Sequence, residues 1–322
     1  MGGKAFGFEA KRMSKTEYGF ILMQNLRRIN HIGRLDWGNA EGVISVKDKE
    51  DFGDIDILVK KQVFSFERFW EEYSSEYKDY KKNSDVVSLL DHQDRQIDLI
   101  LTPIYLFDTH FDYLAYNDLG NFVGRLARAV GLKYGHDGLS LVVRDPNNSG
   151  SMIGTIKVYE DTGRVYNLLG LDSIEGSNGF NNMEEVYKFI MSSKYYHKDS
   201  FLLEKQSNKA RVRDRKRKSY SGMLNYIKEN DASNSERRKY SIFETLSMLP
   251  EGVRLKYIRM VTNNDQSNYK KTLFNGKVVM EVTGLKGKEL GAFISYCKDK
   301  VDLSGNVNLQ VKVLFNRYKD SV

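Results

Sequence analysis

The chain has 322 residues, 40% hydrophobic and 12% aromatic, enough for two or three domains with cores of their own, which excludes a disordered chain. No run approaches the roughly 18 apolar residues of a membrane span, and "MGGKAFGFEAKRM" lacks the apolar centre of a signal peptide, with Phe6 where a myristoylation signal needs Ser or Thr. The formal charge is +7, and one cysteine, Cys297, leaves no internal disulfide and no cysteine-based zinc site; the expectation is a cytoplasmic protein with no membrane partner.

In chain order, residues 14–30 open on Ser14, a good N-cap, and space Tyr18, Ile21, Leu22 and Leu26 as a helix. "DIDILV" (54–59) and "QIDLIL" (96–101) have the length and aliphatic content of strands. Between them "FSFERFWEEYSSEYKDYKK" carries Phe64, Phe66, Phe69, Trp70 and Tyr73 on a helical stripe, and a further helix fits 117–130. "GLSLVVRD" and "MIGTIKVYED" predict two strands around the turn "PNNSGS", and "GRVYNLLG" fits a third. Helices follow in "MEEVYKFIMSS", "YSGMLNYIKEN" and "IFETLSMLP", while "NVNLQVKVLFNRYKD" fits a strand or a helix equally. Strands interleaved with helices, then mostly helices, predict an α+β protein. Its expected parts are a catalytic domain at 1–160 with a mixed β-sheet flanked by helices, a mainly helical neck at 161–248 and a tail at 249–322.

The acids inside the two aliphatic strands carry the chemistry. In a strand, residues i and i+2 point the same way, so Asp54 and Asp56 share one face and Ile55, Ile57 and Val59 the other. Gly53 lets backbone or a phosphate approach closely. Two carboxylates side by side repel unless a cation lies between them, and hard ions such as Mg²⁺ take carboxylates and substrate phosphates as ligands. Asp98, forty-two positions after Asp56, would complete from a neighbouring strand a site for two Mg²⁺ or Mn²⁺ ions about 3.5–4 Å apart, the arrangement that binds attacking and leaving oxygens in phosphoryl displacement.

"GDIDILV" followed by "QIDLIL" resembles the catalytic core of the DNA polymerase β-like nucleotidyltransferase superfamily, over roughly residues 1–160. The resemblance implies that Asp54 and Asp56 ligate both metals, and that Asp98 binds the catalytic ion and helps activate the attacking hydroxyl. One part departs from the pattern. The Gly-Gly or Gly-Ser turn that holds the incoming triphosphate belongs some ten to thirteen residues before the first acid, where this chain has Gly42 followed by Val43. The one hydrophobic-Gly-Gly triplet is Met1-Gly2-Gly3, so Gly2 and Gly3 are candidate phosphate contacts. Arg12 and Lys49 join them, and Gly53, by charge and position.

Eight Lys or Arg and one acid fall between Lys205 and Lys218, leaving 42 of each sign elsewhere, so this segment holds the whole excess charge. Such a block meets a polyanion or forms a solvated linker. Arg211, Arg215 and Lys218 fall at i, i+4, i+7 on one helical face, with Tyr220 and Tyr226 beyond to stack on bases. Lys209, Arg211, Arg213, Arg215, Lys216, Arg217 and Lys218 are thus the candidate nucleic-acid contacts. The tail stretch "NGKVVMEVTGLKGKELGAFI" is similar, more loosely, to a segment of CCA-adding enzymes and poly(A) polymerases, with Gly284, Gly287 and Gly291 in a turn that opens a helix. This implies RNA, of tRNA-like form, as the polymer. His136, in the glycine-rich "GLKYGHDG", reads as a capping or solvated turn residue, and the five histidines show no metal-ligand spacing.

The expectation is therefore a template-independent nucleotidyltransferase that transfers a nucleoside monophosphate from a nucleoside triphosphate to a nucleic-acid 3′ hydroxyl. The alternatives are the same chemistry on a small molecule or protein, or a nucleic-acid-binding protein that keeps the fold without turnover.

Overall fold

A computed structural model describes residues 3–33, 38–146, 148–172, 174, 179–233, 236–273, 276–297, 300–301 and 307–319. Gly2 lies outside them. The elements begin with β1 (Met13–Ser14), α1 (Lys15–Gly33), β2 (Ala40–Gly42), β3 (Asp51–Phe52) and β4 (Ile55–Lys60), then α2 (Phe66–Tyr73), β5 (Tyr77–Asn83), β6 (Val86–Asp91) and β7 (Gln96–Thr102). Next come α3 (Phe107–Leu114), α4 (Leu119–Ala129), β8 (Leu132–Gly135), β9 (Gly138–Asp145) and β10 (Asn148–Tyr159). Helices follow: α5 (Thr162–Leu168), α6 (Met183–Met191), α7 (Asn208–Asp214), α8 (Lys218–Asn230) and α9 (Ile242–Ser247), then α10 (Glu251–Leu273), α11 (Gly276–Thr283), α12 (Gly287–Cys297) and α13 (Val307–Lys319).

Local chemistry sets the first helix. Ser14 donates its amide and hydroxyl to Glu17 Oε2 at 2.8 and 2.9 Å, while its Oγ accepts from the Glu17 amide at 3.3 Å, a reciprocal cap. The main sheet has the order β2-β4-β7-β6-β5, with β4 and β7 parallel and the other neighbours antiparallel. Ile55, Ile57 and Val59 of β4, Val87 and Leu89 of β6, and Ile97, Leu99 and Leu101 of β7 form one apolar face. Ile21, Ile29 and Ile32 of α1 and Phe66 and Phe69 of α2 cover it. Each such residue removed from water contributes about 1.5–3 kcal/mol. The even-numbered positions of β4 and β7 point the opposite way, and the acids are there.

Two compact units emerge: Met1–Val142 with Lys157–Pro250, and Val143–Ile156 with Glu251–Val322. Beside the main sheet, the first contains the remaining helices up to α9 around Leu119, Phe122, Leu126, Leu139, Val165 and Phe201. In the second, α11, α12 and α13 meet on Val279, Phe293, Cys297, Val311 and Leu314. The fold is α+β, a mixed sheet with flanking helices followed by a helical C-terminal region. No described helix is long and apolar enough to cross a membrane.

Some elements differ from the expectations. The aromatic stripe after residue 64 is a helix only to Tyr73; the chain then turns back as β5, and Tyr77 and Tyr80 rejoin the cluster, Trp70 and Tyr80 lying 4.6 Å apart. The aromatic spacing is met by a helix plus a returning strand. "GRVYNLLG" is α5, because Asp161 caps it by accepting from the Arg164 amide. "NVNLQVKVLFNRYKD" contains α13, whose Val311 and Leu314 fill the tail core. The basic run is not one helix. It breaks after α7, Arg217 is extended, and α8 begins at Lys218, so Arg211, Arg215 and Lys218 do not form one helical stripe.

A candidate metal centre on the main sheet

Asp56 and Asp98 stand directly opposite each other in the parallel β4–β7 register, and Asp54 immediately precedes β4. Carboxylate oxygens of Asp54, Asp56 and Asp98 all lie within 4.8 Å of one another, and each side chain is half-buried. Burial and mutual repulsion work in one direction. Burial, then the charges of Asp54 and Asp98, push the Asp56 carboxyl up to about 8. Burial likewise raises Asp54 and Asp98, though Lys49 and the Gly3 amide hold Asp54 down and hydrogen bonds from Ser88 and Gln96 hold Asp98 down.

The cations expected to face a triphosphate have partners nearby. Arg12 lies on Asp51, its Nε 2.7 and 2.6 Å from the two carboxylate oxygens, and draws the Asp51 carboxyl below its ordinary range. Lys49 Nζ donates to Ser45 Oγ and Asn117 Oδ1, both at 3.3 Å, and sits 4.5 Å from the Phe52 ring centroid. Burial lowers its pKa against the pull of Asp54 and Asp56. Among the described residues no ion pair reaches the three acids. Three hard oxygen donors with excess negative charge and no paired guanidinium or ammonium fit a divalent ion such as Mg²⁺ or Mn²⁺.

Around the triad are residues that the sequence reading passed over. Gln96 (3% exposed) donates Nε2 to both oxygens of Asp98, at 3.0 and 2.9 Å. Strand alternation carried the signal, since Gln96 lies two before Asp98 on the same face. Ser88 is opposite Asp98 on β6, a pairing that only the register reveals. Tyr18 donates to the Val43 carbonyl at 3.3 Å, and burial beside Asp56 and Asp54 pushes its phenol up to about 12. Asn117, with Tyr116, adopts positive φ (+62° and +54°), a left-handed pair that is uncommon outside glycine. No sequence pattern marked it.

Gly3 is buried at φ +81°, and a Cβ there would lie 2.5 Å from the Gly53 carbonyl oxygen. Its amide faces Asp54 and opposes the rise in pKa that burial causes there. Position 42–43 forms no glycine turn: Gly42 pairs with Ile57, and the Val43 amide donates to the Asp56 carbonyl at 2.9 Å.

The basic run divides by partner. Asp214 is fully buried, paired with the equally buried Arg125 and with Arg213; Arg217 and Ser219 both reach Asp118. Lys209, Arg215, Lys216 and Lys218 are exposed and Arg211 is half-exposed. Lys218 is close enough to act electrostatically on Asp51. Tyr220 has no exposed surface and donates to the Phe201 carbonyl at 2.7 Å; Tyr226 packs on Tyr187. Tyr220 is therefore core, not a stacking platform. His136 is an exposed turn residue whose ring lies 4.4 Å, at a tilt, from those of both His110 and Tyr113, and partial desolvation lowers its pKa. In the tail, Gly284 (+74°) and Gly287 (+56°) make the turn between α11 and α12.

No protein-family model matches the chain, and no curated protein matches it. Among solved structures, polymerase beta of Leishmania infantum, crystallised as a ternary gap complex, superposes with a TM-score of 0.38 at 10% identity, over 52% of this chain and 70% of that one. The carboxylate geometry, independent of that overlap, carries the functional reading.

Proposed function

We propose that the chain is a divalent-metal-dependent nucleotidyltransferase, with Asp54, Asp56 and Asp98 as its metal ligands and catalytic centre. The supporting observation is the convergence of these three carboxylates, with raised pKa values and no paired base among the described residues. Two bound Mg²⁺ or Mn²⁺ ions would supply charge neutralisation at the attacking and leaving oxygens. The reaction breaks the α–β phosphoanhydride of a nucleoside triphosphate, joins the nucleoside monophosphate to an acceptor hydroxyl and releases pyrophosphate. Asp98, fixed by Gln96 and Ser88, orients that hydroxyl and draws on its proton. Lys49 is positioned by Ser45 and Asn117 to offset phosphate charge near Asp54 and Asp56, and Gly3, Gly53 and Arg12 flank the same end of β4.

The acceptor in this reading is the 3′ end of a nucleic acid, RNA of tRNA-like form, extended without a template in the cytoplasm. Support comes from Lys209, Arg211, Arg215, Lys216 and Lys218, whose last member is near the β3 end of the triad. Arg213 and Arg217 work differently: Arg213 pairs with Asp214 of the same run and donates to Asn121, and Arg217 ties the segment to Asp118. Incubation with each labelled triphosphate and Mg²⁺ or Mn²⁺ against tRNA, generic RNA and DNA ends tests the proposal. Label should pass to an RNA 3′ end and vanish in Asp54→Ala/Asp56→Ala. Transfer that persists in the double variant defeats the assignment, and transfer to a small molecule or protein alone defeats the choice of acceptor.

A further inference from the structure

Residues 3–12 run from Gly3, beside Gly53 at the start of β4, to the edge of β1, fastened on the way to the acid-bearing end of the sheet. The Ala10 amide donates to the Gly3 carbonyl at 2.6 Å and the Lys11 amide to the Asp94 carbonyl at 2.8 Å. Lys81 of β5 donates Nζ to the Ala5 carbonyl at 3.3 Å. Two further links lead inward. The Gly3 amide faces Asp54 closely enough to oppose the rise in its pKa, and the Ala5 amide donates at 2.9 Å to Gln96 Oε1, whose Nε2 holds both oxygens of Asp98. The partners fix the Gln96 amide: the reverse orientation would set its oxygen against a carboxylate and its N–H₂ against another N–H.

We infer that residues 3–5 and Gln96 form a positioning strap for the metal centre, one segment that sets the carboxylates of Asp54 and Asp98 from the same side. The inference rests on the metal reading above and gives Gly3 a different task from phosphate binding. Like-charged carboxylates without a cation swing apart unless donors hold them, so each N–H aimed at a ligand oxygen lowers the cost of keeping the site open for the ion. Glycine is required at position 3 because the left-handed φ and the approach to the Gly53 carbonyl leave no room for a side chain. Gln96 links strap to ligand while almost wholly shielded from water.

The test is Mn²⁺ affinity of the full chain, read from the electron paramagnetic resonance of free Mn²⁺, for the unmodified protein, Gly3→Ala, Ala5→Pro and Gln96→Met. Metal-free thermal melts run alongside. Gly3→Ala displaces the strap, Ala5→Pro removes the donor to Gln96, and Gln96→Met keeps the chain length without its N–H groups. Each variant should bind Mn²⁺ about 10–100-fold more weakly. Ala5 is exposed, so Ala5→Pro decides the matter even if the buried Gln96→Met does not fold. A merely structural strap would lower the melting temperature and leave the Mn²⁺ affinity within about twofold, which would overturn the inference. An unmodified protein that binds no Mn²⁺ overturns the metal reading and the strap with it; one that binds while every variant binds equally well overturns the strap alone.

Discussion

The acidic face of β4 and β7 and the basic run at 205–218 are the two places where like charge concentrates, and the fold treats them in opposite ways. The basic run is anchored by partners distant in sequence: its own acid, Asp214, is buried on Arg125, and Asp118 holds Arg217 and Ser219. The acidic face is given the two Gln96 hydrogen bonds, with Gly3 and Ser88 near enough to offset part of the pKa rise at Asp54 and Asp98, but among the described residues no ion pair. Charge that is paired inside the protein serves the fold. Charge held in place but left uncompensated is available to a ligand, and that difference singles out the triad.

The largest effect should come from the uncompensated side. Asp54→Ala/Asp56→Ala should cut nucleotidyl transfer by at least about a thousandfold, several kcal/mol of lost charge stabilisation, while circular dichroism stays native. On the compensated side Asp214→Ala should leave Arg125 buried without a counter-ion and cost about 3–5 kcal/mol in denaturant unfolding. A loss below about 1 kcal/mol would mean that the pair does not anchor the segment.

How far the sequence foretold this division depends on the range of the interactions. The triad was legible because a period-2 strand pattern is local: Asp54, Asp56 and Asp98 each sit among aliphatics, and Gln96 could have been added by the same alternation. The fate of the basic run was not legible, because Asp118 and Arg125 are some ninety to a hundred positions from their partners Arg217 and Asp214. Those distant pairs break the helix that local spacing favoured. β5 was hidden for a similar reason. "YKDYKKN" is almost wholly exposed beyond Tyr77 and is a strand through pairing with β6 rather than through its own pattern. Tyr220, placed by spacing next to the basic residues, was claimed by the core around Phe122 and Phe201.

Smaller effects sharpen the comparison. Replacing Lys209, Arg211, Arg215, Lys216 and Lys218 together with Gln should reduce the salt dependence of RNA binding by about 0.7 in log–log slope for each phosphate no longer neutralised. Unfolding free energy should move by less than about 0.5 kcal/mol per substitution. An unchanged slope would show that these cations do not meet a phosphate backbone.

The smallest effect is a pH dependence. Asp56 keeps its proton up to about pH 8 in the folded metal-free chain, whereas the unfolded carboxyl loses it near pH 4. Between those values the folded state binds more protons, so metal-free stability should fall as pH rises from about 4 to 8. Asp56→Asn should flatten that slope and raise the metal-free melting temperature at pH 8, by about 2–4 °C for each kcal/mol of repulsion relieved. A melting temperature that climbs over this range would contradict the crowding of the triad.

The most direct test of the central claim is a crystal structure grown with Mn²⁺ and a non-hydrolysable nucleoside triphosphate analogue, phased on the Mn²⁺ anomalous signal. The account predicts anomalous peaks about 2.1 Å from oxygens of Asp54, Asp56 and Asp98, with the triphosphate on the same ions. Peaks elsewhere on the surface, with a vacant triad whose carboxylates diverge, would contradict it.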